Sequence, residues 1–337
     1  MLWEYGIDAG SENLCLVKRG TQQIVKESTY TAIREGRGTP FAWGDRALML
    51  LGRAPKGVSI VKSVNHGCVD RPSLFAKWAR IILDEDEAIL KKSTALVSVS
   101  SCMNSDARVE MQKRMLDEGM SAVATVKSAF ACALGAGEKV MEPEAICVLD
   151  VGAEKIQASV ISGGRIVKED GLPYGVSRAE ETLMEAVRAY MGCAIGEKTA
   201  KDLIRQLGKD NVNENAAVEK NVFDYKTYLP RKKKIPALLV KRCLEEVVEA
   251  ASEMCAKLVL FLPEEIASDV SVRGFVITGG GANLMDFKRS VQNATGLPAR
   301  VAETPEDCLA KGLQRILNSQ ITYQRLIENE LDESRRP

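Results

Sequence analysis

The sequence predicts an α/β protein built from two duplicated lobes that face each other across a cleft. Two observations predict it: an acidic, glycine-tipped hairpin that occurs twice, and an order of elements behind it that also occurs twice. The first hairpin reads Tyr5-Gly6-Ile7-Asp8-Ala9-Gly10-Ser11-Glu12-Asn13-Leu14-Cys15-Leu16-Val17. The second reads Cys147-Val148-Leu149-Asp150-Val151-Gly152-Ala153-Glu154-Lys155-Ile156-Gln157-Ala158-Ser159-Val160. Each is an apolar strand closing on Asp-x-Gly-x-Glu, then a polar residue, then a second apolar strand, the pattern of a β-hairpin with a carboxylate and a glycine at its tip.

The elements that follow justify the duplication in order. Behind the first hairpin come a strand over 95–100, a helix-period stretch over 105–118, Gly119, a strand over 122–126 and a small-residue helix ending Gly135-Ala136-Gly137. Behind the second come a strand over 274–278, the loop Gly279-Gly280-Gly281, a helix near 283–293, Gly296, a strand over 299–302 and a helix from about 305 that carries Gly312. Strand, loop, helix, glycine, strand, helix occurs twice, and paired α/β lobes explain that most simply. A chain of 337 residues is also too long for one ordinary core. The predicted lobe I runs over 1–140, with its core in 1–30 and 70–140 and a small insertion at 31–69. Lobe II runs over 141–317, with its core in 141–176 and 241–317 and an insertion at 177–240 that holds two helices and a hairpin around Pro230. Residues 318–337 read as a charged tail that frays.

Composition narrows the function. Lys plus Arg and Asp plus Glu number 46 each, so no net field draws the chain to nucleic acid or to an acidic membrane. The nine cysteines form no Cys-x-x-Cys pair, which predicts reduced, mostly buried thiols in a cytoplasmic protein. His66, in the turn-like Asn65-His66-Gly67, is the single histidine, which argues against His-based nucleophilic catalysis and His-ligated metals. No stretch approaches the roughly 20 apolar residues that span a bilayer, and the start of the chain does not read as a secretion signal.

Hairpin tips of this kind carry chemistry. Bare backbone at Gly10 and Gly152 exposes N–H groups that cradle phosphate oxygens. Asp8 and Asp150 are placed to hold magnesium through its waters. Thr278-Gly279-Gly280-Gly281, between a strand and a helix, offers a third close approach of backbone, here for a base or ribose. Each motif alone is weak; the three in this order are specific.

The order of these motifs resembles that of the actin, sugar-kinase and heat-shock-chaperone ATPase superfamily, and the closest resemblance is to the bacterial MreB family. Phrases similar to that family run from about residue 4 to 317, among them Gly44-Asp45-Arg46-Ala47, Ala133-Leu134-Gly135-Ala136-Gly137, Ile195-Gly196-Glu197-Lys198-Thr199-Ala200, Leu229-Pro230-Arg231-Lys232 and Arg273-Gly274-Phe275-Val276-Ile277-Thr278-Gly279-Gly280-Gly281-Ala282. The resemblance implies an actin-like ATPase fold, two duplicated ribonuclease-H-like lobes in four subdomains around a nucleotide cleft. It implies ATP or ADP with Mg, held by Asp8, Gly10, Ser11, Asn13, Asp150, Gly152, Lys155, Glu197, Gly279, Gly280 and Gly281. It further implies filaments of the chain itself, linked to cell shape or cell-wall synthesis, with other MreB-family or cell-wall-synthesis proteins as partners.

Several positions depart from the family. Ser11 replaces a threonine and keeps the hydroxyl. The second tip, Asp-x-Gly-Gly-Gly-Thr in the family, reads Asp150-Val151-Gly152-Ala153-Glu154-Lys155, which adds a carboxylate where phosphate would lie; Lys155 is a candidate counter-contact. The family's Glu-Glu-Pro, which supplies the residue that positions the attacking water, aligns with Lys127-Ser128-Ala129. A Gly-Asp becomes Val176-Ser177, and the Lys and Glu around the nucleoside become Ile204 and Gln206. Weak or absent hydrolysis is the expectation, with no catalytic residue assigned. The membrane loop of relatives aligns with Ile89-Leu90-Lys91-Lys92, whose two aliphatics support only weak peripheral contact at the inner face of the membrane, reinforced by avidity. The basic run Arg231-Lys232-Lys233-Lys234 reads as a solvated hairpin turn, and Asp84-Glu85-Asp86-Glu87 as a helix end or loop. The alternatives are a non-polymerising pseudo-ATPase that regulates or caps a true MreB and, least supported, a small-molecule kinase of the same fold.

Overall fold

The computed structural model describes residues 2–36, 38–83, 89 and 91–328. Five layers stack as helix, sheet, helix, sheet, helix. The first sheet runs, from edge to edge, Ile327–Glu328, Ala122–Lys127, Thr94–Val99, Tyr5–Ala9, Asn13–Lys18, Ile24–Ser28. The second runs Arg165–Leu172, Ile156–Ser162, Ile146–Val151, Phe275–Thr278, Ala299–Val301, in the mirrored order. In both, the acidic strand is central, antiparallel to its hairpin partner and parallel to the next strand in the copy. The first sheet has one extra edge strand, Ile327–Glu328, supplied by the segment that follows lobe II.

Both sheets are buried on two faces, and the alternation of side chains shows how. Ile7, Leu14, Leu16 and Val97 pack outward with Phe75 and Trp78 of helix Pro72–Leu83 and Met111 and Met115 of helix Ser105–Asp117. Cys15, Val17, Leu96 and Ala124 face inward. In the second sheet Cys147, Leu149 and Val151 face the outer helices, while Ile146 and Val148 face inward. Period-two side chains on strands buried both sides produce this division. The outer helices are set by ordinary signals: Asn104 caps helix Ser105–Asp117 by accepting from the Ala107 N–H at 2.9 Å, and Asp286 caps Phe287–Thr295.

The central layer joins the lobes. It consists of helices Ser128–Gly135 and Cys308–Asn318, the small-residue helix of each copy. Lobe I's helix lies against the second sheet and lobe II's against the first, so each lobe lends its last helix to the other. They cross at van der Waals distance through two glycines. A Cβ on Gly135 would sit 1.7 Å from the Cys308 carbonyl oxygen, and one on Gly312 would sit 1.8 Å from that of Ala131. No side chain fits at either place, and the crossing forms the floor of the cleft.

The two insertions stand above this floor. Lobe I's is a three-stranded sheet, Thr39–Trp43, Tyr30–Arg34, Val58–Lys62, with helix Gly44–Leu48. Lobe II's contains helices Val176–Met191 and Glu197–Leu207 and the hairpin Ala217–Asp224 with Leu229–Pro236. Helix Ala237–Val259, the longest, carries this hairpin back to the second sheet.

Two sequence expectations are corrected. The tail does not fray at 318: Gln320–Tyr323 is helical, Leu326 is buried, and Ile327–Glu328 pairs with Thr125 and Val126. Apolar Leu326 and the ion pair of Glu328 with Arg108 at 2.9 Å hold it there. Arg231–Lys234 is not a turn but lies within a strand, where Lys232 pairs with Glu219 and Lys233 with Asp224 across the hairpin; residues 225–228 make the turn. The stretch 84–87 lies outside the described residues.

Candidate nucleotide cleft

The duplicated register sets the site. Strand pairing places Asp8 beside Ser98 and Asp150 beside Thr278, each carboxylate next to a hydroxyl on the neighbouring parallel strand. The Ser98 hydroxyl donates to Asp8 Oδ1 at 3.3 Å, and Thr278 Oγ1 lies 3.5 Å from Asp150 Oδ1. Both carboxyls border one cleft of about 1020 Å³, lined by the two hairpin tips, the glycine turn and the insertions. Burial, then the charge of Asp150, pushes the Asp8 carboxyl up to about 7, and burial raises that of Asp150. Two desolvated acids in one cleft are short of positive charge.

The glycines are required locally. A Cβ on Gly10 would meet the Asn13 carbonyl oxygen at 2.5 Å, and one on Gly152 that of Lys155 at 2.7 Å, so each tip folds back on its own fourth residue. Gly279 has φ of +85°, and a Cβ there would meet the Val151 carbonyl oxygen at 2.4 Å and Asp150 Oδ1 at 2.5 Å. Gly280 faces open space and Gly281 lies against Val151 and Val176. All eleven residues expected at the cofactor, from Asp8 to Gly281, line this cleft. The Lys155 ammonium, however, donates at 2.7 Å to Gln157 Oε1, two residues further along the chain.

The stretch 127–129, which the sequence aligns with the family's water-positioning residues, lies at the start of a central helix. Ser128 starts a central helix, buried and lining the cleft. Lys127 pairs with Glu169 of the second sheet at 3.9 Å, and Gln157 donates to the same Glu169 at 3.0 Å. Ile204 lines the cleft as apolar surface, and the neighbouring Arg205 also borders it.

Sequence reasoning missed the residues that bridge the cleft. Lys201 of helix Glu197–Leu207 donates to Glu12 of the first tip at 2.8 Å and to the Tyr30 hydroxyl at 3.2 Å, and Tyr30 donates to Glu197 at 3.0 Å. Lys62 of the lobe I insertion donates to Glu154 of the second tip at 2.5 Å and lies 3.7 Å from Glu12. The turn at His66, which has φ of 49°, donates its N–H to Glu154 Oε2 at 2.9 Å, and the Gly67 N–H donates to Ser11 Oγ at 2.8 Å. The ion pairs raise the Lys201 ammonium above its ordinary range despite its burial. Burial pushes the Glu180 carboxyl, which faces this group, up to about 7. The signal that could have found the lysines was the glutamate repeated in both tips, since two half-buried carboxylates require cations.

Two duplicated lobes, exchanged central helices and paired acidic tips on a shared cleft define a protein of the actin-like fold. The profile of the MreB/Mbl protein family matches residues 3–325, and the chain belongs to that family. It is 28% identical over 327 residues to the cell shape-determining protein MreB of Escherichia coli (strain K12), covering 92% of this chain and 91% of that one. It is 23% identical over 321 residues to the cell shape-determining protein Mbl of Bacillus subtilis (strain 168), covering 94% and 96%. Among solved structures, MreB 5 of Spiroplasma citri bound to AMPPNP superposes with a TM-score of 0.87 at 20% identity over 95% of this chain and 97% of that one. The MamK double helical filament superposes with a TM-score of 0.72 at 15% identity, covering 93% and 97%. Among the described residues no helix is long and apolar enough to cross a membrane.

Proposed function

We propose that this chain binds ATP or ADP with magnesium in the cleft, turns it over slowly or not at all, and assembles into filaments that serve cell shape or cell-wall synthesis. One observation carries the reading: both acidic tips and the glycine turn converge on a single cleft, where Ser128, aligned by sequence with the family's water-positioning acid, lies beside a Lys127 paired to Glu169. The relatives named above are cell shape-determining proteins, and the S. citri protein was solved with AMPPNP in one structure and ADP in another.

The donor set fits the expected cofactor. Asp8 and Asp150 are hard oxygen ligands short of positive charge, and Gly280, where a Cβ would meet nothing, leaves open backbone beside the two tips for a phosphate or ribose to approach. Among the described residues no three His, Cys, Asp or Glu gather into a metal cluster, so magnesium held by the two aspartates would take its remaining ligands from water and phosphate. Bound there, it would neutralise phosphate charge. Asn13, Ser11 and Glu197 would complete the nucleotide's surroundings, with lobe I over 1–140 and lobe II over 141–317 closing on it.

Self-association has candidate surfaces in the second insertion and its carrier helix. Tyr228 and Leu229 are exposed at the hairpin tip beside Phe223 and Tyr225. Phe261, 98% exposed, follows the far end of the 23-residue helix that starts at the hairpin's base, about 35 Å away. Apolar residues at two separate places on one chain suit head-to-tail contacts, which propagate. Ile89 is exposed and Leu90 lies outside the described residues; a weak peripheral membrane contact there would depend on avidity along a filament.

A second reading, a non-polymerising regulator of a true MreB, is favoured by the lysine clamp on Glu12 and Glu154, which joins the lobes through the chain's own carboxylates. Sedimentation and electron microscopy with and without magnesium ATP separate the two. Nucleotide-dependent polymer supports the filament; monomer under all conditions, with polymer of a true MreB altered on mixing, supports the regulator.

A further inference from the structure

Seven of the nine cysteines are buried; Cys68 is half-buried and Cys102 is exposed. These two stand 34 positions apart in the chain, yet their sulfurs lie 2.7 Å from each other. Cys68 follows the His66-Gly67 turn in the short hairpin Val64–Asn65 with Cys68–Val69. Cys102 lies in the turn after strand Thr94–Val99. Local contacts hold the two turns together. The Ser100 hydroxyl donates to the Gly67 carbonyl at 2.8 Å and lies 2.8 Å from Cys102 Sγ, and the Cys102 thiol reaches the His66 carbonyl at 3.5 Å. From the other lobe the stem of Lys155 packs over Gly67, where a Cβ would come within 2.8 Å of its Cδ.

We propose that Cys68 and Cys102 are a redox modification site that closes reversibly into an intramolecular disulfide at the wall of the cleft. The pair has the features of a reactive dithiol: adjacent sulfurs, access to solvent and a nearby cation. The Cys68 thiol, then Ser100 and Lys155, hold the Cys102 thiol down to about 5, while Cys68 is raised. By contrast, burial raises Cys15, Cys132, Cys147, Cys243, Cys255 and Cys308.

The oxidant is a hydroperoxide. The Cys102 thiolate attacks one peroxide oxygen; an S–O bond forms, the O–O bond breaks, and the departing oxygen leaves as water or alcohol after taking a proton. Cys68 sulfur then attacks Cys102 sulfur, forming S–S and breaking S–O, and the sulfenic oxygen leaves as water with the Cys68 proton. Two thiols lose two electrons, and one peroxide gains them. A dithiol reductant reverses the bond by exchange.

The bond would act on the turn it fixes. Through His66 and Gly67 that turn donates to Glu154 of one tip and Ser11 of the other. Oxidation therefore stiffens the strut between the tips and slows exchange of bound nucleotide. This consequence rests on the proposed nucleotide site; the bond itself does not.

The test uses the reduced full-length protein treated with hydrogen peroxide, with thiols counted after denaturation and unreduced peptides mapped by mass. The expected result is the loss of two of the nine thiols, a peptide joining Cys68 to Cys102, a monomer on a non-reducing gel, and full reversal by dithiothreitol. Cys68→Ser should leave Cys102 as a sulfenic acid that dimedone traps; Cys102→Ser should leave Cys68 unmodified at the same dose. The site is overturned if the parent gives no such peptide, or if Cys102 oxidises while Cys68 stays free. Release of a fluorescent ATP analogue should be several-fold slower from the oxidised protein, and an unchanged rate would overturn the coupling even with the bond formed.

Discussion

Replacing Asp8 by asparagine should stabilise the nucleotide-free protein at alkaline pH. Burial and the nearby Asp150 raise the Asp8 carboxyl from 3.8 to about 7. A folded-state value above the unfolded one means that the native protein holds the proton more tightly. The resulting penalty is absent below about pH 4, grows from pH 4 to 7, and is complete above pH 7. The gap of about three units corresponds to about 4 kcal/mol at 1.36 kcal/mol per unit. Because the carboxyl borders the cleft, water relieves part of this, and about 2 kcal/mol is the working figure. Asparagine keeps the shape and can still accept the Ser98 hydroxyl's hydrogen bond without the charge. Urea unfolding in EDTA, at pH 4.5 and pH 8, checks it. Asp8→Asn should gain about 2 kcal/mol over the parent at pH 8 and little at pH 4.5, while binding magnesium nucleotide more weakly. A variant that is less stable at pH 8, or that differs from the parent equally at both pH values, would refute the reasoning that two uncompensated acids share the cleft.

Three further outcomes follow from the same geometry. Gly312→Ala places a methyl 1.8 Å from the Ala131 carbonyl oxygen; overpacking a helix crossing costs about 1–3 kcal/mol or more, read as a lower unfolding midpoint, whereas a neutral variant would show that the crossing can open. Glu154→Gly removes a carboxylate from the second tip and frees Lys62, now 2.5 Å from it. ATP affinity by calorimetry should rise about tenfold, equivalent to about 1.4 kcal/mol, and no gain would mean that Glu154 does not oppose phosphate. Phe261→Arg should leave nucleotide affinity unchanged and abolish sedimentable polymer, since a charge replaces an exposed apolar contact; polymer at the parent's level would remove Phe261 from the interface.

Much of this fold was legible because its signals are local. The two Asp-x-Gly hairpins, the triple glycine and the order of strands and helices behind them each sit within a few adjacent residues, and the sheets follow that order. What escaped was whatever depends on meetings between distant segments. Gly135 and Gly312 could be placed in their helices, but their mutual crossing belongs to the exchange of helices between lobes. Lys62 and Lys201 look like ordinary surface lysines of the insertions until the lobes bring them to Glu154 and Glu12. Cys68 and Cys102 carry no spacing signal at all. Residues 320–328 read as a fraying tail because the charged residues beyond them dominate the composition, whereas buried Leu326 and the edge of a sheet decide their place. At the cleft, residue types pointed to residues that do line it, while the pairing of Lys127 with Glu169 needed the fold.

The most direct measurement is phosphate release from ATP already bound, followed as a single turnover in magnesium, with free nucleotide removed. A cleft that binds but lacks an acid at Ser128 should retain intact ATP for many times the period an active relative needs, and Ser128→Glu should shorten that period. Losing one positioned acid or base typically costs about a hundredfold in rate. Brisk release by the parent would contradict the reading and shift the water-positioning role to another acid of the cleft, with Glu12 and Glu154 the first to replace; failure to retain any ATP would contradict the nucleotide site itself.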